Sequence, residues 1–128
     1  MSKSKKTAAS IIWFEIPAEQ PERARKFYRS LFGWDINAMP GMPDYWHIDT
    51  AGKDASPDGA IRRRQQPGEP VLHYILVPSI TRFLAKVKKL GGEICLPKTA
   101  IQKMGYMAVC KDTEANSFAL WEPNMKAK

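Results

Sequence analysis

The chain has 128 residues, of which 44% are hydrophobic and 26% are charged, and its formal net charge is +7 at pH 7. This length suits one domain with a real core, or two small halves that share one. The composition is that of an ordinary globular protein, and no stretch approaches the roughly 18 apolar residues that span a bilayer. No apolar region of signal-peptide length follows the basic N-terminus, so we expect a cytoplasmic protein without a membrane partner.

Much of the positive charge lies in two tails, residues 1–9 and 125–128. These tails contain five lysines and no acidic residue, and the rest of the chain has a formal charge of only about +2. Basic tails of this kind are typically solvated extensions. Because a nucleic-acid binder needs a clustered basic face, we expect no dedicated nucleic-acid surface.

Two cysteines, Cys95 and Cys110, are too few for a disulfide framework and lack zinc-type spacing. Each lies in an apolar context typical of a strand, so we expect small buried thiols that stay free in a reducing cytosol. They become neighbours across two strands if their segments form a hairpin.

The first half of the chain opens with a strand and a helix. Ile11–Ile16 is an apolar, β-branched segment bounded by Pro17, which favours a buried strand. Four apolar residues then recur at spacings of three and four, which predicts an amphipathic helix that buries one stripe: Ala24, Phe27, Tyr28 and Leu31. Gly33 follows at once and predicts a left-handed C-cap.

Short strands and turn residues fill the rest of this half. The strands are predicted at 34–37, 45–50 and 59–64, with a turn at 39–44 and a polar loop at 51–58. Residues 65–70, QQPGEP, contain two prolines and a glycine and predict a linker between two halves.

The second half repeats this order. An apolar strand ends at Pro78, and a helix follows whose predicted buried stripe is Ile80, Phe83, Leu84, Val87 and Leu90. Three further strands are predicted at 93–96, 106–110 and 117–122. The order β-α-β-β-β therefore occurs twice, as an internal repeat of about sixty residues. We expect an α+β fold of two βαβββ repeats, residues 10–66 and 67–124, with a cleft between curved mixed sheets.

Two segments resemble known repeat signatures. FEIPAEQPERARKFYRSLFGW at 14–34 and GYMAVCKDTEANSFALWEP at 105–123 resemble the vicinal oxygen chelate superfamily of glyoxalases, bleomycin-resistance proteins and extradiol dioxygenases. PKT at 97–99 and MGY at 104–106 are similar to a glyoxalase-like subgroup. The resemblance covers about residues 10–123. It implies the fold but no single reaction, because this fold hosts isomerases, dioxygenases, epimerases and drug-binding proteins.

The resemblance also implies four metal-ligand positions on the first and last strands of the repeats. In this chain they hold Trp13, Ala60 or Ile61, His73 and Ala119. Only the histidine can bind a divalent cation. Glu15 and His47 could join it in a rebuilt site, unless His47 faces outward. We expect no family metal and no cofactor, with a rebuilt metal site as the alternative.

Strand alternation predicts which side chains line the cleft. If Trp13 faces it, Glu15 lies beside the indole, and Phe14 and Ile16 face the helix. The expected lining is Trp13, Glu15, Arg62, His73 and Trp121, with Tyr45, His47 and Tyr106 at the rim. Indoles with a few polar groups are typical of a small-molecule pocket. Core packing by the indoles and a structural Glu15–Arg62 ion pair are equally good interpretations.

Two functions are consistent with these residues. The favoured one is a metal-free, homodimeric binding protein of the bleomycin-resistance kind that holds a small aromatic or amphipathic molecule. The alternative is a glyoxalase-like lyase or isomerase, or a dioxygenase, acting on a small carbonyl or aromatic compound. In that enzyme Glu15 or His73 would be the catalytic base.

Overall fold

The computed structural model describes residues 9–50 and 57–128, in which the order β-α-β-β-β occurs twice. The expected α+β class is therefore confirmed. The expected basic tail before residue 9 and loop residues 51–56 lie outside the described part. The first set of elements is β1 (Ile11–Ala18), α1 (Pro21–Phe32), β2 (Asp35–Ala38), β3 (Tyr45–Asp49) and β4 (Asp58–Arg63). The second set is β5 (Leu72–Leu76), α2 (Ile80–Lys89), β6 (Glu93–Ile101), β7 (Gly105–Lys111) and β8 (Ser117–Pro123).

The chain divides into two compact units. The first-repeat unit is Ile12–Leu72, and the second-repeat unit is His73–Lys128 together with residues 9–11. In the latter, the Leu76 N–H donates to the Ser10 carbonyl at 2.9 Å. Neither described helix is long and apolar enough to cross a membrane.

The sheet of the first-repeat unit has the strand order β2-β3-β4-β1, with β1 parallel to β4 and the other neighbours antiparallel. One face packs against α1 and forms the core: Ala18, Ile36, Ile48 and Ile61, with Phe14, Ile16, Ala24, Tyr28, Trp34 and Trp46 against them. Phe14 and Ile16 therefore face the helix, as alternation predicts, and Trp13 and Glu15 face the other way.

Helix α1 ends as predicted but does not bury its whole stripe. Gly33 adopts φ 73° and its N–H donates to the Arg29 carbonyl at 2.9 Å. Tyr28 packs on the core, whereas Phe27 and Leu31 are 59% and 58% exposed, so their expected burial is wrong. Successive residues differ by about 100° around a helix. Contact with the sheet along the Tyr28 side therefore leaves Phe27 on an uncovered flank.

Gly59 marks a close approach between β1 and β4. A Cβ at this position would contact the Phe14 carbonyl and would lie 2.8 Å from two carbon atoms of the Phe14 ring. No side chain fits there, because real Cβ atoms do not approach so closely. The glycine lets the Phe14 ring lie flat over the strand.

The sheet of the second-repeat unit has the order β5-β8-β7-β6, with β5 parallel to β8. Its core beside α2 consists of Val77, Ile80, Ala108, Cys110 and Leu120. At the start of α2, a Glu122 carboxylate oxygen accepts the Ile80 N–H at 2.9 Å. This bond satisfies one of the backbone donors that a helix start leaves unpaired.

Four expectations for this unit need correction. Leu90 is the C-cap of α2 and is 73% exposed rather than part of the buried stripe. Strand β6 continues past Pro97 to Ile101, because register shifts between Ile94 and Thr99 accommodate a residue without an N–H. Cys110 is buried as expected, but Cys95 is exposed, and both are free.

The fourth expectation that needs correction concerns the C-terminal tail, residues 125–128. Ala127 is 1% exposed, and its carbonyl accepts the Lys103 N–H at 2.9 Å. The residues after Asn124 are therefore held on the β6–β7 turn rather than extending freely into solvent.

Candidate functional site

The candidate site lies on the face of the first-repeat sheet that points away from α1. The strand register places six aromatic or polar side chains on this polar face: Trp13, Glu15, Tyr45, His47, Asp58 and Arg62. Trp13 pairs with Asp58 across β1 and β4, and Tyr45 pairs with Arg62 across β3 and β4. All six come from three adjacent strands, so a rigid sheet fixes their positions.

Glu15 lies at the centre of the polar face. It is 8% exposed, and among the described residues it is the buried side chain that carries a charge. One carboxylate oxygen accepts the Tyr45 hydroxyl at 2.7 Å, and the other accepts the Arg62 Nε–H at 2.9 Å. Charge-assisted bonds of this kind offset the cost of removing the carboxylate from water.

Arg62 joins Glu15 to a second carboxylate. Its Nη2 donates to Glu69 at 2.8 Å, and the other oxygen of Glu69 accepts the Gln65 N–H at 2.9 Å. Burial lowers the pKa of the Arg62 guanidinium, but the hydrogen bonds and charges of Glu69 and Glu15 raise it more. The guanidinium therefore stays charged, and this group of two carboxylates and one cation carries a net negative charge.

Tyr45 links Glu15 to the indole of Trp13. Its hydroxyl donates to Glu15 and accepts the Trp13 Nε1–H at 3.2 Å. Burial, followed by the charge and the hydrogen bond of Glu15, raises the pKa of the Tyr45 phenol far above its usual value. Tyr45 is therefore a permanent donor to Glu15 at any physiological pH, and the chain of bonds runs from Trp13 through Tyr45 to Glu15.

His47 lies beside Trp13 on the same face. The two rings stack with centroids 5.6 Å apart and planes at 30°. The His47 Nε2 lies 3.3 Å from an Asp58 oxygen, and the other oxygen of Asp58 accepts the Thr50 N–H at 3.3 Å. The sequence left open whether His47 faces outward. In the structure it lies on the same face as Trp13 and stacks against it.

The other predicted site residues belong to the second-repeat unit. His73 is exposed, and its alternate neighbours Ile75 and Val77 pack on the core beside α2. It is Tyr74, on the opposite face, that pairs with Ala119. His73 therefore does not share a face with the position expected to hold the acidic ligand.

A one-residue difference explains the displacement of His73. Trp13 precedes the start of α1 by eight residues, whereas His73 precedes the start of α2 by seven. A shift of one residue moves every side chain of a strand to the other face. When β1 and β5 are aligned by sequence, His73 matches Trp13 and is predicted to face away from the helix. In the structure it lies on the α2 side of β5.

Trp121 and Tyr106 lie on opposite faces of their sheet. Trp121 follows Ala119 by two residues and shares its face, as predicted, and a Cβ on Gly105 would lie 2.8 Å from the indole. Tyr106 packs against the core beside α2, with the Lys98 Nζ 4.5 Å from its ring centroid. Tyr106 is therefore a structural residue on the far side from Trp121.

Sequence reasoning missed two members of the first-repeat network, Asp58 and Glu69. Asp58 could have been found, because it lies two residues before Ala60 on a strand and must share its face. Glu69 lies in the linker after β4, where no strand or helix periodicity indicates which way a side chain points. Its role depends on the path of residues 65–70, which the sequence does not specify.

The residues at the implied metal-ligand positions do not fit a divalent cation. Neither Trp13 nor Ala119 has a side-chain lone pair that can bind a metal ion. Both oxygens of Glu15 already accept hydrogen bonds, from Tyr45 and Arg62. Among the described residues, no group of three or more His, Cys, Asp or Glu side chains is placed to hold a metal ion. The absence of a family metal stays a prediction, which rests on the chemistry of these donors.

Comparisons with known proteins agree with this fold. A family model described as bleomycin resistance protein-like N-terminal matches residues 10–50. The putative glyoxylase CFP32 of Mycobacterium bovis is 30% identical over 120 residues, which are 88% of this chain and 45% of the relative. The anthracycline biosynthesis protein DnrV of Streptomyces peucetius is 25% identical over 127 residues, again 45% of the relative. The chain thus spans less than half the length of these curated relatives.

Solved structures share the architecture at low identity. A glyoxalase/bleomycin resistance protein/dioxygenase superfamily member from Vibrio splendidus matches with a TM-score of 0.65 at 10% identity, over 91% of this chain and 100% of that chain. This likeness shows that the chain has the glyoxalase/bleomycin-resistance type of fold. The partial family-model match, the sequence relatives and the shared fold all support the resemblance of the chain to the vicinal oxygen chelate superfamily.

Proposed function

We propose that this protein binds a small aromatic or amphipathic molecule on the polar face of the first-repeat sheet, without the family metal. The observation that supports this most is the Trp13–His47 stack beside the Tyr45–Glu15–Arg62 network. Both rings are partly exposed, so a planar ligand can extend the stack. The bonded polar groups beside them are held in place before a ligand arrives, which lowers the entropic cost of binding.

The charges of the polar face favour one class of ligand. Glu15, Glu69 and Asp58 are carboxylates, and the Arg62 guanidinium is already paired with two of them. An anionic ligand would find that cation engaged, whereas a cationic or neutral one meets an excess of acceptors. We therefore expect aromatic amines to bind better than aromatic acids.

We also propose that the protein acts in the cytoplasm as a homodimer. The curated relatives are about twice as long as this chain, as expected if each contains two such segments. The uncovered flank of α1, formed by Phe27, Leu31 and Phe32, is exposed apolar surface that a second copy would bury. No described helix crosses a membrane.

Tryptophan fluorescence tests the binding proposal. We expect a panel of aromatic amines to quench the emission of the native chain, and Trp13→Phe to remove the response. Trp46→Phe is the matched control, because Trp46 packs on the core beside α1 rather than on the polar face. A panel that leaves the emission unchanged, or an equal response in Trp13→Phe, would contradict the proposal.

One observation also supports a glyoxalase-like enzyme as the alternative. The Glu15 carboxylate lies on the same face as the partly exposed Trp13–His47 stack, where it would act as a base on a carbon acid next to a carbonyl group. Turnover of small carbonyl or aromatic compounds by the native chain, lost in Glu15→Gln with the circular dichroism unchanged, would establish this function. His73→Ala should leave such turnover intact, because His73 lies on the α2 side of its sheet.

A further inference from the structure

The hairpin of β6 and β7 brings the two cysteines of the chain together. Ile94 pairs with Cys110, and the next pair along is Leu96 with Val109. Two steps along β6 thus correspond to one step along β7, which makes Cys95 the extra residue of a β-bulge. In a bulge, two residues of one strand oppose a single residue of the other, so Cys95 and Ile94 both oppose Cys110.

The two thiols differ in exposure. Cys95 is exposed, whereas Cys110 is fully buried in the core of the second-repeat unit. Burial raises the pKa of the Cys110 thiol, and the charge of Cys95 raises it further. Cys95 is therefore the thiol that meets an oxidant in solution, whereas burial shields Cys110 from it.

Paired residues on antiparallel strands, such as Ile94 and Cys110, have Cα atoms about 4.5–5.5 Å apart, and Cys95 follows Ile94 directly in the bulge. Disulfides accept Cα separations of about 4.4–6.8 Å. We propose that Cys95 and Cys110 form a redox pair, in which a hydroperoxide oxidises Cys95 and Cys110 then closes an intramolecular disulfide. The bridge would join the edge strand β6 to its neighbour β7. The free thiols of the structure correspond to the reduced form of this pair.

The chemistry balances in two steps. The Cys95 thiolate attacks one oxygen of hydrogen peroxide, the O–O bond breaks, and the products are a sulfenic acid and, after protonation, water. Cys110 then loses its proton and its sulfur attacks the Cys95 sulfur, so that the S–O bond breaks and a second water leaves. Two thiols are oxidised and one peroxide is reduced to two molecules of water.

Peptide mapping of the folded chain tests the proposal. The protein is treated with one equivalent of hydrogen peroxide, remaining thiols are alkylated under denaturing conditions, and trypsin is added without a reductant. Cleavage after lysine places Cys95 in the peptide 90–98 and Cys110 in the peptide 104–111. We expect these two peptides to appear joined, and the intact chain to lose the mass of two hydrogen atoms. Oxidised methionine adds oxygen but joins no peptides, so it does not imitate this result.

Cys95→Ser is the matched control. Its side chain is exposed, so we expect a folded protein in which Cys110 remains fully alkylatable after the same treatment. Cys110→Ala should stop at the sulfenic acid on Cys95, which dimedone traps. Three results in the native chain would overturn the proposal: sulfinic acid on Cys95 with Cys110 alkylated, a disulfide between the Cys95 residues of two chains, or no change at either thiol.

Discussion

At the scale of single residues, the polar face depends on Glu15, whose buried charge is compensated by a hydrogen bond from Tyr45 and an ion pair with Arg62. The sequence predicted Trp13, Glu15 and Arg62 on one face, because alternation along β1 and β4 requires no knowledge of loops. The ion pair of Glu15 and Arg62, 2.9 Å in length, is real, so a structural role for it is compatible with a ligand role for its neighbours. A buried pair of this kind gives little net stability but fixes which groups a ligand meets.

Glu69 gives the network a dependence on pH. The Arg62 hydrogen bond, opposed by partial burial, holds the pKa of the Glu69 carboxyl below its usual value of 4.5. In the folded state Glu69 therefore gives up its proton more readily than in the unfolded chain. Its contribution to stability is present above about pH 4.5 and is lost as the pH falls through the lower, folded value. Urea unfolding followed across this range should show a falling midpoint.

Glu69→Gln provides the comparison for that prediction. This variant cannot gain a proton at position 69, so its urea midpoint should fall less steeply between about pH 4.5 and acid. Glu22→Gln, an exposed residue of α1 paired with Arg25, should follow the native chain. Parallel curves for Glu69→Gln and the native chain would show that other carboxyls control the acid response.

At the scale of elements, the sequence predicted whether each segment is a helix or a strand more reliably than which of its side chains are buried. The existence of α1 and its Gly33 cap follows from local chemistry, which neighbouring segments do not alter. The burial of Phe27 depends on which side of the helix meets the sheet, and that is decided by packing. His73 shows the same limit, because a connection shorter by one residue reversed its face while leaving the strand itself intact. Glu69 and the bulge at Cys95 depend on chain paths that no periodicity specifies.

The exposed flank of α1 leads to a prediction about assembly. Phe27→Glu places a charge in the surface that a second copy would bury, so we expect the dimer to dissociate at concentrations where the native chain is paired. Multi-angle light scattering after gel filtration measures the mass directly. Leu90→Glu is the control, because Leu90 is also highly exposed but lies at the end of α2, and it should leave the mass unchanged. A native chain that elutes as a monomer would refute the homodimer.

At the scale of the whole molecule, the net charge and the charge of the site have opposite signs. The chain is basic, at +7, yet the polar face together with Glu69 beside it has three carboxylates and a single guanidinium that is already paired. At physiological salt, charges beyond about 8 Å are largely screened, so we expect the local carboxylates rather than the net charge of the chain to determine which ligands are preferred.

Ligand charge therefore tests whether the local charge of the polar face or the net charge of the chain governs binding. For two probes with the same ring system, we expect the amine to bind about tenfold more tightly than the carboxylate, a difference of about 1.4 kcal/mol. Asp58→Asn should reduce that ratio, because it removes the carboxylate next to the His47–Trp13 stack. Asp44→Asn should not, because Asp44 is an exposed residue paired with Arg63. If the carboxylate probe binds more tightly to the native chain, the net charge of the molecule governs recognition, and the polar face does not select its ligand by charge.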